Sequence, residues 1–564
     1  MVEAARRGTW VEGVGRLSVE ELAVAEDQGL WVRAQLIREL LLGRHGELDP
    51  HGVRVRKVRV VGLLDLDHVT TTVPLYLHAC AISERITCHD ARLRELSLIQ
   101  STMTGLHANG LRVDGCLFLR GVTVRGSGET GAVRLSGAHV GGSADFDKAE
   151  VVNNSGPGLH ADNLRVDGDL LLRGVTVRGS GEAGAVRLLD AHVSGRADLS
   201  KAEVVNDSGP GLGADNLHVD NDLFLRGATV RGSGEYGAVR LLGAHVGGSA
   251  DSDKAEIVND SGPGLHADRL RVDGGLFLHG ATVRGSGDDG AVSLHGAHIG
   301  GQISVKDAQV VNTSGPLLEL TEAHVAKALV FPVSVVCSHS GVGARRRRCA
   351  AGARQISVQR LEFARLQGLS WQQWLHLLVH HTPDYAPQPF QQLAAVERAA
   401  GHDANAREIL ITQQNELLRR TPEALGGWWG QWRHRLWGWL GRYGYRAQRL
   451  VVALAVILTL AGATAYLAGQ VPTRPDHHAA ERVRPATAPP DAGGTACSTV
   501  ELVGLGLDRG LPVGTTGLRA RCDLDTATKR GQAFTVLLWV LQAALWALAT
   551  LTVAAYTGMI RKPA

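Results

Sequence analysis

Four near-copies of one block recur at a strict 53-residue period: LRVDGCLFLRGVTVRGSG from Leu111, LRVDGDLLLRGVTVRGSG from Leu164, LHVDNDLFLRGATVRGSG from Leu217 and LRVDGGLFLHGATVRGSG from Leu270. A copy of this size buries its apolar side chains against its neighbours, so the chain has to stack rather than close into a globule. Within one block the apolar or small residues come in pairs two apart: Leu164/Val166, Leu170/Leu172, Val175/Val177, Val186/Leu188, Ala191/Val193, Ala197/Leu199, Ala202/Val204 and Leu212/Ala214. Residues two apart on extended backbone point to the same side, so each pair reads as one short inward-facing segment. The eight segments of a block make two turns of a four-sided coil. Three-sided coils would bring successive copies out of phase and lose the stacking of like on like.

The same phasing runs back through Leu64/Leu66, Leu75/Leu77, Cys80/Ile82, Ile86/Cys88 and Ala91/Leu93, and forward to Leu318/Leu320, Ala323/Val325 and Ala328/Val330. The expected β-helix spans 51–332, with about eleven coils and a length of roughly 50 Å at the strand spacing of about 4.8 Å. Seventy glycines against eight Phe and seven Tyr suit a fold with many tight corners. The longer steps hold glycine loops of the type GSGEAG and NDSGPG. They recur four segments apart and so leave the same corner, which predicts one ridge of stacked loops with Glu129, Glu182, Glu235 and Asp288 near its tips.

The residue between paired positions faces outward, so each wall can be read down the stack. One wall reads Arg92, Arg112, His139, Arg165, His192, His218, His245, Arg271, His298 and His324, and its neighbour carries His107, Arg134, His160, Arg187, Arg240 and His266. The other two give Asp145, Glu150, Asp198, Glu203, Asp251 and Glu256. A formal net charge of +3 therefore hides an expected sidedness. Cations about 5 Å apart repel, which favours neutral histidines between the arginines and a basic wall that strengthens as pH falls. The expected partner is a protein or anionic polymer. The small net charge does not point to nucleic acid, and two basic walls argue against mimicry of DNA, which needs an acidic surface.

Chemistry-bearing motifs are scarce. Each block contains Gly-x-Gly-x-x-Gly, as in Gly179/Gly181/Gly184, but a dinucleotide fingerprint needs a helix directly afterwards, and here another pair of short segments comes next. No HExxH, Walker loop or GxSxG occurs, and His380-His381 lies in a helical stretch without a visible triad. Cys80 and Cys88 occupy inward positions and Cys116 an outward one. Cys337 and Cys349 flank Arg345–Arg348 without a metal-ligand pattern. No catalytic, cofactor or metal residue is assigned.

Outside the coil, 1–50 reads as a helical cap, 333–359 as a basic linker and 360–425 as a helical region. Gln388–Arg420 there forms two helices around Gly401, like one tetratricopeptide-type hairpin. In 426–449, Trp428, Trp429, Trp432, Trp437 and Trp439 alternate with arginines, the pattern of a membrane-interface segment. Residues 450–469 and 533–560 are apolar runs long enough to cross a bilayer. The opening MVEAARRGTW has no signal peptide, and Arg433–Arg449 with Arg561 and Lys562 favour a cytoplasmic β-helix and a cytosolic tail over 561–564, at the plasma membrane. The loop 470–532 then lies outside, where a Cys497–Cys522 disulfide persists.

The inward small-residue, Leu and Phe ladders resemble those of pentapeptide-repeat proteins, which implies a right-handed quadrilateral β-helix. Here steps of five and six alternate where that family keeps five. WVRAQLIRELLLG at Trp31–Gly43, the coil, HHTPDYAPQPFQQLAAVERAAGHDANAREILITQQ and the paired C-terminal spans together resemble a bacterial group commonly labelled membrane-associated oxidoreductase. That label implies redox chemistry with an unidentified cofactor. The residues themselves favour a membrane-anchored scaffold without a cofactor.

Overall fold

The inward pairs become strands because alternation at a period of two buries one face of each segment and leaves the other wet. In the computed structural model, which describes residues 1–13, 17–182, 184–337, 354–446, 448–483, 493–510 and 520–556, these strands form a parallel β-solenoid of about 11 turns. The chain divides into two units, Met1–His402 and Asp403–Ala564.

In the first unit, Thr123–Gly126, Val133–Arg134, His139–Val140 and Ala144–Asp145 succeed one another before Glu150–Asn153 pairs back onto Thr123–Gly126. Each coil of the repeat region thus carries four strands, each bonded in parallel to its equivalent one coil away. The interior is filled: Leu170, Leu172, Val175, Val177, Leu188 and Val193 are all at most 1% exposed. Burying each such side chain contributes about 1.5–3 kcal/mol. One corner alternates Gly121, Lys148, Gly174, Lys201, Gly227 and Lys254, all at φ between 56° and 62°. The lysines hold a left-handed conformation that L-residues adopt at a cost, and the ladder bonds on either side enforce it.

Both ends depart from the sequence expectation. Residues 1–50 include short helices α1 (Val2–Arg6), α2 (Val19–Val24) and α3 (Ala34–Leu41), but also strands Val11–Glu12 and Trp31–Arg33 that pair with Val53–Arg56 and Arg59–Val61. The solenoid does not stop at 332. Ile356–Ser357 pairs with Leu318–Glu319, and Glu362–Gln367 pairs with His324–Val330. The interval expected as linker thus returns to the coil, because Ile356/Val358 and Leu361/Phe363 repeat the inward pairing after an interruption. Arg345–Arg348 and Cys349, and likewise Arg561 and Lys562, lie outside the described residues.

Helix α4 (Trp371–His380) begins at a Ser370/Gln373 capping box. Its Trp374 is 1% exposed and packs edge-on against Phe331 and Phe363, with ring centroids 5.9 and 5.8 Å away. This aromatic cluster closes the C-terminal end of the coil. Helix α5 (Gln388–Ala399) comes next, with Phe390, Leu393 and Ala394 buried.

The second unit contains α6 (Asp403–Arg420), α7 (Trp428–Gly441), α8 (Gln448–Gln470), α9 (Thr499–Gly510) and α10 (Lys529–Tyr556). α8 and α10 are the two described helices long and apolar enough to cross a membrane. Residues 470–532, expected as a loop between the spans, contain α9 and an antiparallel pair, Ala480–Arg482 with Cys522–Leu524. Leu502 and Leu505 of α9 are buried with Ala461, Ala465 and Ala468 of α8. The approach is so close that a Cβ on Gly506 would lie 2.4 Å from the Ala461 carbonyl oxygen.

Candidate functional site

The first candidate is the outer wall that carries the Arg/His column. Arg92, Arg112, His139, Arg165, His192, His218, His245, Arg271, His298 and His324 face one another coil by coil in unbroken register. Imidazole rings meet edge to face where histidines are consecutive, with centroids 4.9 Å apart for His192–His218 and 4.7 Å for His218–His245.

The column is not a bare cationic strip. Asp167 takes both His139 (2.9 Å) and Arg165 (3.1 Å), Asp220 takes His192 (3.1 Å) and His218 (3.0 Å), and Asp273 takes His245 (3.1 Å) and Arg271 (3.0 Å). Hydrogen bonds from His139 and Arg165 hold Asp167 below the usual carboxylate range, and those from Arg271 and His245 do the same for Asp273. The aspartate comes two residues after the outward position of alternate coils, where inspection of single wall positions does not find it.

The remaining walls are zipped in the same way, which corrects the expected sidedness. Arg187 and His160 share Asp162, and Arg240 pairs with Asp215. On the acidic walls Arg120 pairs with the buried Asp145, Arg226 with Asp251, Arg178 with Glu203 (3.0 Å) and Arg231 with Glu256 (3.3 Å). Opposite charges meet both across coils, as Arg120 with Asp145, and two residues apart on one coil, as His160 with Asp162. His107 differs: burial first, then the charges of Arg134 and Arg85, lower its pKa to about 4.

The glycine loops do stack. Ser180 N donates to Gly156 O (3.0 Å), Asn206 Nδ2 to Gly181 O (3.0 Å), Ser233 N to Gly209 O (3.0 Å) and Asn259 Nδ2 to Gly234 O (3.0 Å), linking consecutive loops into one ridge. Gly211 is required where loop meets coil, since a Cβ there would sit 2.6 Å from Val230 Cγ1 and 2.9 Å from Arg231 O. Asn153, Asn206, Asn259 and Asn312 anchor the ridge. The inward apolar pairs do not include them, although a polar residue recurring at the 53-residue period two positions after an inward one was the available signal. Gly126, Gly179 and Gly232 end strands, and the next regular elements are the strands Val133–Arg134, Val186–Arg187 and Val239–Arg240. No helix N-terminus therefore comes after those motifs to receive a pyrophosphate.

Of the cysteines, Cys80 is buried and its thiol is pushed up to about 12, which makes it an inert core residue. Burial likewise raises Cys88. Cys337 is different, because it lies against two buried histidines of the C-terminal cap: its Sγ is 3.8 Å from His376 Nε2, and His381 completes the group. No local motif announces three residues separated by 39 and 5 positions; only the fold joins them.

In the second unit Trp428, Trp429, Trp432 and Trp439 are exposed on α7, whereas Trp437 is half-buried. On α8 and α10 the large apolar side chains Val452, Val456, Leu460, Leu467, Val536, Trp539, Val540 and Val553 are also exposed. A helix in a soluble core would cover them. Cys497 and Cys522 form a disulfide with Cα atoms 6.4 Å apart. It ties the approach to α9 to the strand that leads into α10.

No protein-family model matches the chain, and neither the curated proteins nor the solved structures provide a match.

Proposed function

We propose that this protein is a scaffold held in the plasma membrane by α8 and α10, whose solenoid docks a partner protein along the Arg/His wall. The observation that carries the reading is the unbroken register of that column over ten successive coils, on a rod whose interior is filled by side chains and whose chemistry is therefore displayed outside. Four strands per coil fit a right-handed, four-sided helix of the pentapeptide-repeat kind. Alternation of Asp167, Asp220 and Asp273 with the cations favours a folded protein with its own mixed charges over an anionic polymer, which would meet a carboxylate on every second coil.

The exposed apolar surfaces of α8 and α10 suit lipid, and the exposed tryptophans of α7 suit the headgroup layer. A disulfide between the two spans suits an oxidising compartment, which leaves the solenoid on the cytoplasmic side.

The test is chemical cross-linking in intact membranes with the native chain and with the triple variant Arg165→Ser, His218→Ser, Arg271→Ser. The reading expects one cross-linked species, weakened by salt and lost in the variant. A species unaffected by all three substitutions removes the wall from the function.

A further inference from the structure

We infer that Cys337, His376 and His381 form a metal site for Zn2+ that fastens the end of the solenoid to its helical cap. The three ligand atoms lie within 4.8 Å of one another, and the residues are 2%, 8% and 1% exposed. In a tetrahedral zinc site, Zn–S near 2.3 Å and Zn–N near 2.0 Å place neighbouring donors roughly 3.3–3.6 Å apart. The Cys337 Sγ to His376 Nε2 separation of 3.8 Å is within a few tenths of an ångström of that spacing. Side-chain rotation closes the remainder.

The backbone explains how the donors converge. Cys337 comes just after the 3-10 turn Val333–Val335, and its N–H donates to Val333 O at 2.8 Å. His376 lies within α4. His381 would face away from it on a continuous helix, since five residues turn about 140° beyond a full turn. It instead sits at the C-cap, with φ −123° and ψ 10°, which frees its ring to swing towards His376; the ring centroids are 5.6 Å apart.

His381 is also oriented for the task. Its Nδ1 is 2.7 Å from the Arg354 carbonyl oxygen. A carbonyl only accepts, so Nδ1 carries the proton and Nε2 presents its lone pair, the arrangement typical of a metal-bound histidine. Its own carbonyl accepts from Ile356 N at 2.7 Å, where the last coil begins. One thiolate and two imidazoles suit zinc. The ion would join the residue at which the chain leaves the coil to the helix that covers the coil's end. Binding displaces the Cys337 thiol proton to solvent and involves no redox step.

The test uses the full chain in mild detergent, stripped with chelator and titrated with Zn2+ and separately with Co2+. The expected result is one tightly held zinc per chain, a rise in melting temperature on adding zinc, and a thiolate-to-cobalt charge-transfer band. Cys337→Ser, His376→Gln and His381→Gln each weaken zinc binding at least tenfold, whereas His218→Gln on the solenoid wall leaves it unchanged. Cys337→His guards against misfolding, since it keeps zinc while losing the charge-transfer band. A native chain that lacks the band, or a Cys337→Ser variant that holds zinc as tightly as the native chain, overturns the assignment.

Discussion

The side-chain amide of Asn206 donates at 3.0 Å to the carbonyl of Gly181, which lies in the neighbouring loop of the ridge. The same nitrogen reaches Pro210 O at 2.8 Å, and Oδ1 accepts from Ser208 N at 3.2 Å. Asn206 is 2% exposed, so these bonds are made away from water.

Asn206→Ala therefore leaves the Gly181 and Pro210 carbonyls without this donor and should cost about 1–3 kcal/mol. The loss should remain local because each coil contacts chiefly its neighbours. Hydrogen exchange should show faster amides in 179–184 and 206–211, with the coils around Leu106 and Leu294 unchanged. Uniform acceleration along the solenoid would contradict the role given to the asparagine.

His107 should stay neutral through the physiological range. Its pKa of about 4 in the fold, set by burial and then by Arg134 and Arg85, lies below the ordinary 6.5. As pH drops below 6.5 the unfolded chain takes up a proton that the folded chain refuses. Stability from this residue is thus complete above 6.5 and declines as pH falls towards 4. An NMR titration should place the His107 midpoint near 4, and His107→Gln should flatten that part of the stability profile. A midpoint near 6.5 would contradict the burial.

Asp273 has the opposite partner logic. Arg271 and then His245 hold its pKa below 3.8, so its contribution is present above 3.8 and is lost as pH falls through the folded midpoint. Arg271→Ala should move the Asp273 carboxyl titration upwards, read by carbon NMR. The effect on stability should be small because the pair is exposed. An unchanged midpoint would mean that the ladder contacts do not persist in solution.

Leu460 is 51% exposed on α8, far from either end of the helix. If lipid surrounds it, Leu460→Asp should impose about 2.5–3.5 kcal/mol at the centre of a span and lower the carbonate-resistant membrane fraction. A soluble helix would tolerate this surface change. Retention of the variant in membranes at native level would count against α8 as a span.

The Leu164/Val166 type of pair by itself determined the strands, their register and the single loop ridge, because a period of two with a fixed repeat allows one stacking of like on like. The apolar composition of α8 and α10 likewise showed in the sequence, since length and hydropathy are local properties. The partners of the wall did not. Asp220 bonds to His218, two residues before it, and also to His192 one coil earlier, and that second contact depends on where the chain returns rather than on neighbours in sequence. The end of the coil at Gln367 and the meeting of Cys337 with His376 and His381 were also decided only in three dimensions. An interruption hid the last inward pairs, and the break in α4 at its C-cap turned a histidine five residues on towards the first. Periodic burial is encoded residue by residue, whereas a cluster of ligands or counter-ions exists only once distant segments pack.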